Sequence, residues 1–182
     1  DPIGHGTHVA GTIGAIANNG IGIAGVAPEA TILPVKGFDD DGVGRDSEIW
    51  AGVLYAIENG ATVVNASWSC SPACPDNPLA RAVLEVARQA EVVFVTSAGN
   101  EAVDVVRNEP ERSPLAITVG SLDQQDGLSF FSNHGWLVDL IAPGGGDAGV
   151  GPLITSRNIL SLAAPSLPET EEFFRVGEDY YR

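Results

Sequence analysis

The sequence predicts an α/β fold, a three-layer α/β/α sandwich with a mostly parallel sheet. Short apolar segments with strand character alternate along the chain with longer segments of helical periodicity. Strands joined by single helices pair in parallel through right-handed crossovers. No linker or repeat interrupts the 182 residues, of which 44% are hydrophobic, enough for a substantial core. We therefore expect residues 1–182 to form one domain or part of one.

The first predicted helix and strand that form a pair lie between residues 47 and 65. Ser47 is the expected N-cap of the helix. Its inward face carries apolar residues at helical spacing, namely Ile49, Trp50, Val53, Leu54 and Ile57. Asn59 and Gly60 end the helix, because glycine readily adopts the left-handed conformation of a C-terminal cap. Residues 62–65 follow as a short buried strand.

The next helix is predicted to begin at Asn77 and Pro78, since proline is tolerated in a first helical turn. Its predicted inward residues are Leu79, Val83, Val86 and Ala90. Residues 92–96, Val-Val-Phe-Val-Thr, form the strongest predicted strand, with an apolar run typical of a strand that is covered on both faces. Residues 116–119 and 138–141 predict two further strands.

The charge of the chain limits its partners. Twenty-four acidic and nine basic side chains give a formal net charge of −15. This charge repels the phosphates of nucleic acids and the headgroups of anionic membranes, so we expect neither as a partner. No apolar run approaches the roughly 20 residues that a membrane-spanning helix needs.

Cys70 and Cys74 are the two cysteines of the chain, and they stand close together in sequence. They are either two unpaired thiols in a loop or a small local disulfide. A disulfide would require an oxidising compartment. A metal site is disfavoured, because no histidine lies near them in sequence.

Two histidines, His5 and His8, stand three residues apart among small residues where a helix could begin. A His-x-x-His pair can bind a metal from one helical face, although no third ligand is evident. Both can instead be ordinary core histidines. In a third interpretation one of them is a general base, because imidazole titrates near neutral pH and accepts a proton from a hydroxyl nucleophile. Spacing alone does not choose among the three.

Residues 5–11, His-Gly-Thr-His-Val-Ala-Gly, resemble the histidine motif of the subtilisin-like serine protease family, the subtilases. The resemblance covers most of residues 4–143. It implies that His5 is the catalytic base and that His8 is a structural neighbour. It also implies a secreted serine endopeptidase that works through an acyl-enzyme and needs no cofactor for catalysis.

A second motif follows in residues 95–101, Val-Thr-Ser-Ala-Gly-Asn-Glu, at the end of the strongest predicted strand. Taken alone, Asn100 is more often a turn former than a functional group. The carboxyl end of a central parallel strand, however, is where open α/β sheets bind ligands. In the resembling family the corresponding asparagine donates a hydrogen bond to the oxyanion of the tetrahedral intermediate. The resemblance therefore implies a catalytic role for Asn100.

Three segments resemble the family's binding cleft for an extended polypeptide substrate. They comprise Gly42, Val43, Gly44, Ser67, Trp68, Ser69, Ser97, Ala98 and Gly99. The first segment resembles the strand that pairs with the substrate backbone. The second resembles the opposite wall, near the pocket for the residue before the scissile bond. Many relatives carry glycine where Ser69 stands, so we expect that pocket to differ in shape.

Residues 20–25, Gly-Ile-Gly-Ile-Ala-Gly, match the dinucleotide-binding pattern in spacing. That pattern requires a strand before it and a helix after it. Here helical residues precede it and a proline soon follows, so no nicotinamide cofactor is expected. In the resembling family this loop often helps to hold a structural calcium. Asn19 and the carbonyls of Ile21 and Ile23 would then be among the six to eight oxygen ligands that calcium prefers.

Two members of the family's catalytic triad are missing from the 182 residues. The motif Gly-Thr-Ser does not occur, and Asp1 lies too close to His5 to replace the family's aspartate. The resemblance therefore implies a subtilisin-like domain that is incomplete at both ends, with the serine and the aspartate outside this chain. We predict that the chain alone folds poorly and has no peptidase activity. Segment 145–175 is also longer and more irregular than its family counterpart. The rival function is a catalytically inactive pseudoprotease that binds extended peptides or a partner protein.

Overall fold

The computed structural model describes residues 1–70, 74, 76–145, 159–165, 174–176 and 179–181. The chain groups into two compact units. The first comprises Asp1–Pro34, Phe38–Val43 and Asp147–Arg182, and the second comprises Val35–Gly37 and Gly44–Gly146. Most of the irregular segment predicted at 145–175 lies outside the described residues.

A four-stranded parallel sheet forms the centre of the second unit, in agreement with the predicted mostly parallel sheet. Its strands are β1 (Val63–Ala66), β2 (Val93–Ser97), β3 (Ile117–Leu122) and β4 (Leu140–Pro143). They stand in the order β1-β2-β3-β4, and each neighbouring pair is parallel. The carboxyl ends of all four strands therefore lie at one edge of the sheet.

Helix α2, Asp46–Glu58, precedes the sheet in sequence. Ile49, Trp50 and Val53 are buried, as their spacing predicts. The N-cap predicted at Ser47 is wrong, because the N-cap is Arg45 and makes no side-chain capping bond. The helix N-terminus is stabilised by two acidic side chains in the first turn, Asp46 and Glu48, whose negative charges interact favourably with the helix dipole. At the other end Gly60 takes a left-handed φ of 82°, as predicted.

Helix α3, Pro78–Gln89, begins where its sequence predicts, and the Asn77 side chain accepts a hydrogen bond of 3.0 Å from the Ala80 N–H. The predicted inward face is correct only at Val83. Leu79 and Val86 are 40% and 41% exposed, and Ala90 is also exposed. The buried residues are Ala80, Val83, Leu84 and Ala87. Two of these four buried residues are alanines. Because the prediction chose larger apolar residues, it placed the inward face on the wrong side of the helix.

An aromatic cluster anchors the core of the second unit. Trp50 of α2 stacks on Phe94 of β2 with ring centroids 5.8 Å apart, and Trp68 meets both rings edge-on at 6.3 Å. Trp68 follows β1, so this cluster holds the segment after β1 against the helix and the central strand. The prediction that both faces of β2 are covered is wrong at Val93, which is 44% exposed.

The first unit contains helix α1, His5–Gly14, and an antiparallel pair of short strands, β5 (Phe174–Val176) and β6 (Asp179–Tyr181). A short 3₁₀ helix, Val105–Arg107, belongs to the second unit. Among the residues that the structure describes, no helix has the length and apolar character to cross a lipid bilayer.

Candidate active site

His5 opens helix α1 and is exposed. The Asp1 carboxylate organises this helix start, accepting hydrogen bonds from the Gly4 N–H at 3.0 Å and from the Thr7 N–H at 2.8 Å. Gly4 has a left-handed φ of 79°, which lets the chain turn sharply into the helix. Asp1 thus acts as a capping carboxylate at the helix that carries His5.

His8 lies one turn further along α1 and is half-buried. Its Nε2 lies 3.1 Å from the Ile159 carbonyl oxygen, and its own carbonyl accepts a hydrogen bond of 2.6 Å from the Ser161 hydroxyl. A Cβ at Gly11 would lie 2.7 Å from Leu162 Cγ, which explains the small residue at this position. The two histidines therefore differ in environment, with one ring exposed and the other bonded to main chain.

Asn100 is exposed on the loop that follows β2, at the carboxyl edge of the sheet. Gly99, directly before it, has a left-handed φ of 99°. The Asn100 N–H donates to Glu101 Oε2 at 3.0 Å. This geometry turns the chain at the end of the strand and leaves the Asn100 side chain at the surface.

The segments that follow β1 and β2 lie side by side. The register pairs Ala66 with Thr96, so Ser67 and Ser97 occupy the same level of the sheet. The Ser97 hydroxyl donates to the Trp68 carbonyl at 3.0 Å and joins the two segments directly. Asn100 and two predicted substrate-binding segments, residues 67–69 and 97–99, therefore share one edge of the second unit.

The remaining predicted cleft segment divides between the units, with Gly42 and Val43 in the first and Gly44 in the second. The backbone of Val43 is already engaged with Asp39, because its N–H donates to Asp39 Oδ1 at 2.9 Å and its carbonyl accepts from the Asp39 N–H at 2.8 Å. Gly42 has a φ of 77°. These residues form a tight turn, whereas substrate pairing calls for an extended strand.

A disulfide links Cys70 and Cys74, which is one of the two alternatives that the sequence left open. The bridge joins two residues that lie four apart in sequence, the first directly after Ser69. The Glu109 N–H donates to the Cys74 carbonyl at 3.1 Å and ties Cys74 to another part of the second unit.

Two buried glutamates close to one another in sequence have opposite surroundings. Burial raises the pKa of Glu109, but hydrogen bonds from Arg112, the Asn77 N–H and Arg81 outweigh it and leave the pKa lowered. Glu111 is 1% exposed, and no donor among the described residues reaches either carboxylate oxygen. Burial, together with the charges of Glu101 and Glu109, outweighs the lowering effect of the residue's own main-chain N–H and raises the pKa of Glu111 to about 7.

Glu111 should make the stability of the protein fall as the pH rises. A folded-state pKa of about 7, above the ordinary 4.5, means that the folded protein holds this proton more tightly than the unfolded chain. The resulting loss of unfolding free energy begins above pH 4.5 and is complete above about pH 7, and it amounts to roughly 3 kcal/mol. Urea unfolding at pH 4.5 and pH 8 should show a smaller loss for Glu111→Gln than for the wild type.

Glu85→Gln is the matched control, because Arg88 lowers the pKa of Glu85 to about 2. A lowered pKa contributes stability that is present above pH 4.5, so this variant should lose stability at pH 8 relative to wild type. Identical pH profiles for the wild type and Glu111→Gln would contradict the prediction.

Sequence reasoning missed Asn133, a fully buried residue of the second unit. Its side-chain amide makes four hydrogen bonds to residues on both sides of Asn100. Its local pattern, Ser-Asn-His-Gly, is typical of a turn and carries no signal of a distant partner.

Known proteins resemble this chain in sequence and in structure. Residues 1–170 match the family model Peptidase_S8, which describes the subtilase family. The chain is 43% identical over 140 residues to the thermophilic serine proteinase of Bacillus sp. (strain AK1), covering 77% of this chain and 34% of that protein. It is 42% identical over 141 residues to thermitase of Thermoactinomyces vulgaris, covering 78% and 49%. Subtilisin BL of Lederbergia lenta is 40% identical over 167 residues, covering 91% and 60%.

Solved structures of proteases also superpose on this chain. One of the proteases from Pseudoalteromonas arctica PAMC 21717 superposes with a TM-score of 0.80 at 32% identity, over 88% of this chain and 49% of that one. A cold adapted subtilisin-like serine proteinase superposes with a TM-score of 0.69 at 35% identity, over 80% and 50%. The predicted α/β fold class is confirmed. The chain spans 34–60% of the length of the three curated relatives named above.

Proposed function

This chain belongs to the subtilase family, and on that basis we propose that it is the part of a serine endopeptidase that carries the catalytic histidine and the oxyanion asparagine. The observation that carries the proposal is the shared sheet edge of the second unit. There, Asn100 follows β2 and the two segments at 67–69 and 97–99 lie side by side. A donor beside a peptide-binding wall is the arrangement that acyl transfer needs.

The serine and the aspartate are proposed to lie outside this chain. Gly-Thr-Ser occurs nowhere in the 182 residues, and the chain spans 34–60% of the length of its named relatives. The full-length protein, meaning this chain with its flanking residues, is therefore the proposed enzyme. The 182 residues alone are proposed to be inactive, because a base without its nucleophile cannot form an acyl-enzyme.

In the proposed mechanism the serine Oγ attacks the peptide carbonyl carbon while His5 accepts the hydroxyl proton. The Asn100 amide donates to the oxyanion of the tetrahedral intermediate. The C–N bond then breaks, and His5 returns its proton to the leaving amine. A water molecule attacks the acyl-enzyme in the second half-reaction, with His5 again accepting a proton and then giving it to the serine. The aspartate orients His5 throughout.

The proposed partner is a polypeptide substrate in extended conformation, and neither a nucleic acid nor a membrane. A net charge of −15 supports the exclusion of anionic partners. The disulfide between Cys70 and Cys74 supports an extracellular location, because disulfides persist in oxidising compartments.

No cofactor is proposed for catalysis, and the structural calcium stays a prediction. The candidate loop supplies few of the oxygens that calcium needs. Asn19 Oδ1 accepts a hydrogen bond of 3.0 Å from the Ile21 N–H, which uses part of its capacity. Within the described ranges no group of three or more acidic, histidine or cysteine side chains could hold a metal ion. The residues described here do not by themselves make a calcium shell.

A fluorophosphonate probe tests the proposed function in the full-length protein. The probe should label one serine outside residues 1–182, and the same preparation should hydrolyse a casein-derived peptide. Residues 1–182 expressed alone should take no label and leave the peptide intact. Peptide binding without label or hydrolysis by the full-length protein would favour the pseudoprotease, and a label on a serine within residues 1–182 would contradict the assignment of the nucleophile.

A further inference from the structure

We infer that Asn133 is a positioning residue that holds the Asn100 loop in the geometry required for oxyanion binding. This inference rests on the proposed function, since it assigns a supporting residue to the proposed donor. Asn133 is distant from Asn100 in sequence and makes no bond to the Asn100 side chain among the contacts described. It acts on the residues before and after Asn100.

The side chain of Asn133 is fully buried, and its amide uses all of its hydrogen-bonding capacity. Its Oδ1 accepts from the Glu101 N–H at 2.9 Å and from the Val103 N–H at 3.0 Å. Its Nδ2 donates to the Ala98 carbonyl at 2.8 Å and to Glu101 Oε2 at 2.8 Å. A primary amide has two donors and an oxygen with two lone pairs, so this side chain satisfies its whole capacity in one loop.

Main-chain bonds continue the same contact. The Asn133 N–H donates to the Gly99 carbonyl at 2.9 Å, and the Ala102 N–H donates to the Phe131 carbonyl at 2.9 Å. The His134 N–H donates to the Val103 carbonyl at 2.9 Å. Residues 131–134 therefore run along the loop and pin it on both sides of Asn100.

Gly99 and Asn133 fit one another. A Cβ at Gly99 would run into the Asn133 amide nitrogen, and Gly99 also has a φ of 99°, which side-chain-bearing residues rarely adopt. Glycine therefore allows the amide to approach the backbone directly before Asn100. The Glu101 carboxylate completes the arrangement, because the same Oε2 accepts from Asn133 Nδ2 and from the Asn100 N–H.

This arrangement matters because the Asn100 side chain is exposed. The position of an exposed donor is set by the backbone that carries it. Oxyanion stabilisation requires a donor that is already in position before the reaction. A loop held by four hydrogen bonds to one buried side chain does not need to reorganise when charge develops. Loosening it should therefore weaken binding of the transition state more than binding of the substrate.

Asn133→Asp is the most selective test, because it keeps the shape and the accepting oxygen but removes both donors. The new carboxylate would face the Ala98 carbonyl and the Glu101 carboxylate, two acceptors. In the full-length protein we expect kcat on a chromogenic peptide to fall about 10- to 100-fold with KM within about twofold, less than the loss expected for Asn100→Ala. Asn133→Ser, which is smaller and uncharged, should give a milder loss of the same kind if the aspartate variant folds poorly.

A double variant that combines Asn133→Asp with Asn100→Ala distinguishes positioning of Asn100 from a general loss of structure. If Asn133 acts through Asn100, then adding Asn133→Asp to Asn100→Ala should lower kcat by less than twofold beyond Asn100→Ala alone. Additive losses, or an unchanged kcat in both Asn133 variants, would overturn the inference while leaving the proposed function intact. An inactive wild-type full-length protein would instead overturn the proposed function, and the inference with it.

Discussion

Replacing His5 with alanine in the full-length protein should abolish acylation and leave the fold intact. His5 is exposed at the first position of α1, so its side chain adds little to the core. As the general base it acts in both half-reactions, and its loss removes the path for the serine proton. The expected fall in kcat is on the order of 10⁶-fold, the size known for the triad histidine in subtilisin, a member of this family.

Peptide hydrolysis and the rate of fluorophosphonate labelling measure the effect, and thermal unfolding checks the fold. His8→Ala is the matched control, because it removes the other histidine of the same helix. The His8 ring lies 3.1 Å from the Ile159 carbonyl oxygen. Removing this ring should therefore lower the stability of the fold and leave acylation measurable. A harmless His5→Ala combined with an inactive, folded His8→Ala would show that the wrong histidine was assigned.

Asn100→Ala should lower kcat by about 10²- to 10³-fold with little change in KM, a range known for the oxyanion asparagine of subtilisin in this same family. The amide acts on charge that exists only in the transition state, so substrate binding is spared. Steady-state kinetics on a peptide substrate separate the two parameters.

Asn59→Ala is a suitable control for the asparagine variant. Asn59 is also exposed, but it lies at the C-terminal end of α2, where its amide donates to the Tyr55 carbonyl. Its removal should leave kcat and KM at wild-type values. A raised KM with unchanged kcat in Asn100→Ala would mean that Asn100 binds substrate and does not stabilise the oxyanion.

Local patterns were reliable where one segment contains the whole signal. The apolar spacing of α2 predicted three of its four buried residues, and the small-residue turn after β2 predicted where the sheet edge presents Asn100. The parallel pairing of β1 with β2 follows from the single helix, α3, that joins them, a constraint on connections that any such chain must meet. In the part of the chain that the structure describes, no α-helix joins β2 to β3 or β3 to β4, so the alternation pattern does not account for those two parallel pairs. The histidine and asparagine motifs are likewise contiguous, so they are visible before any fold is known.

Local patterns failed where a choice depended on a neighbour distant in sequence. In α3 two of the four residues that face the core are alanines, Ala80 and Ala87, so a choice made by side-chain size misplaced the inward face. At Ser47 the capping pattern was present, but the N-cap is Arg45, two residues earlier, and the helix begins at Asp46. Neither choice is determined within the segment itself.

The sequence by itself therefore determined the fold class, the order of the strands along the chain and the motifs that contain His5 and Asn100. Only the tertiary structure decided that the amide of Asn133 holds the Asn100 loop and that the carboxylate of Glu111 is buried without a described donor. The physical reason is that periodicity and turn chemistry act over a few residues, whereas hydrogen bonding and burial depend on groups that only the folded chain brings together.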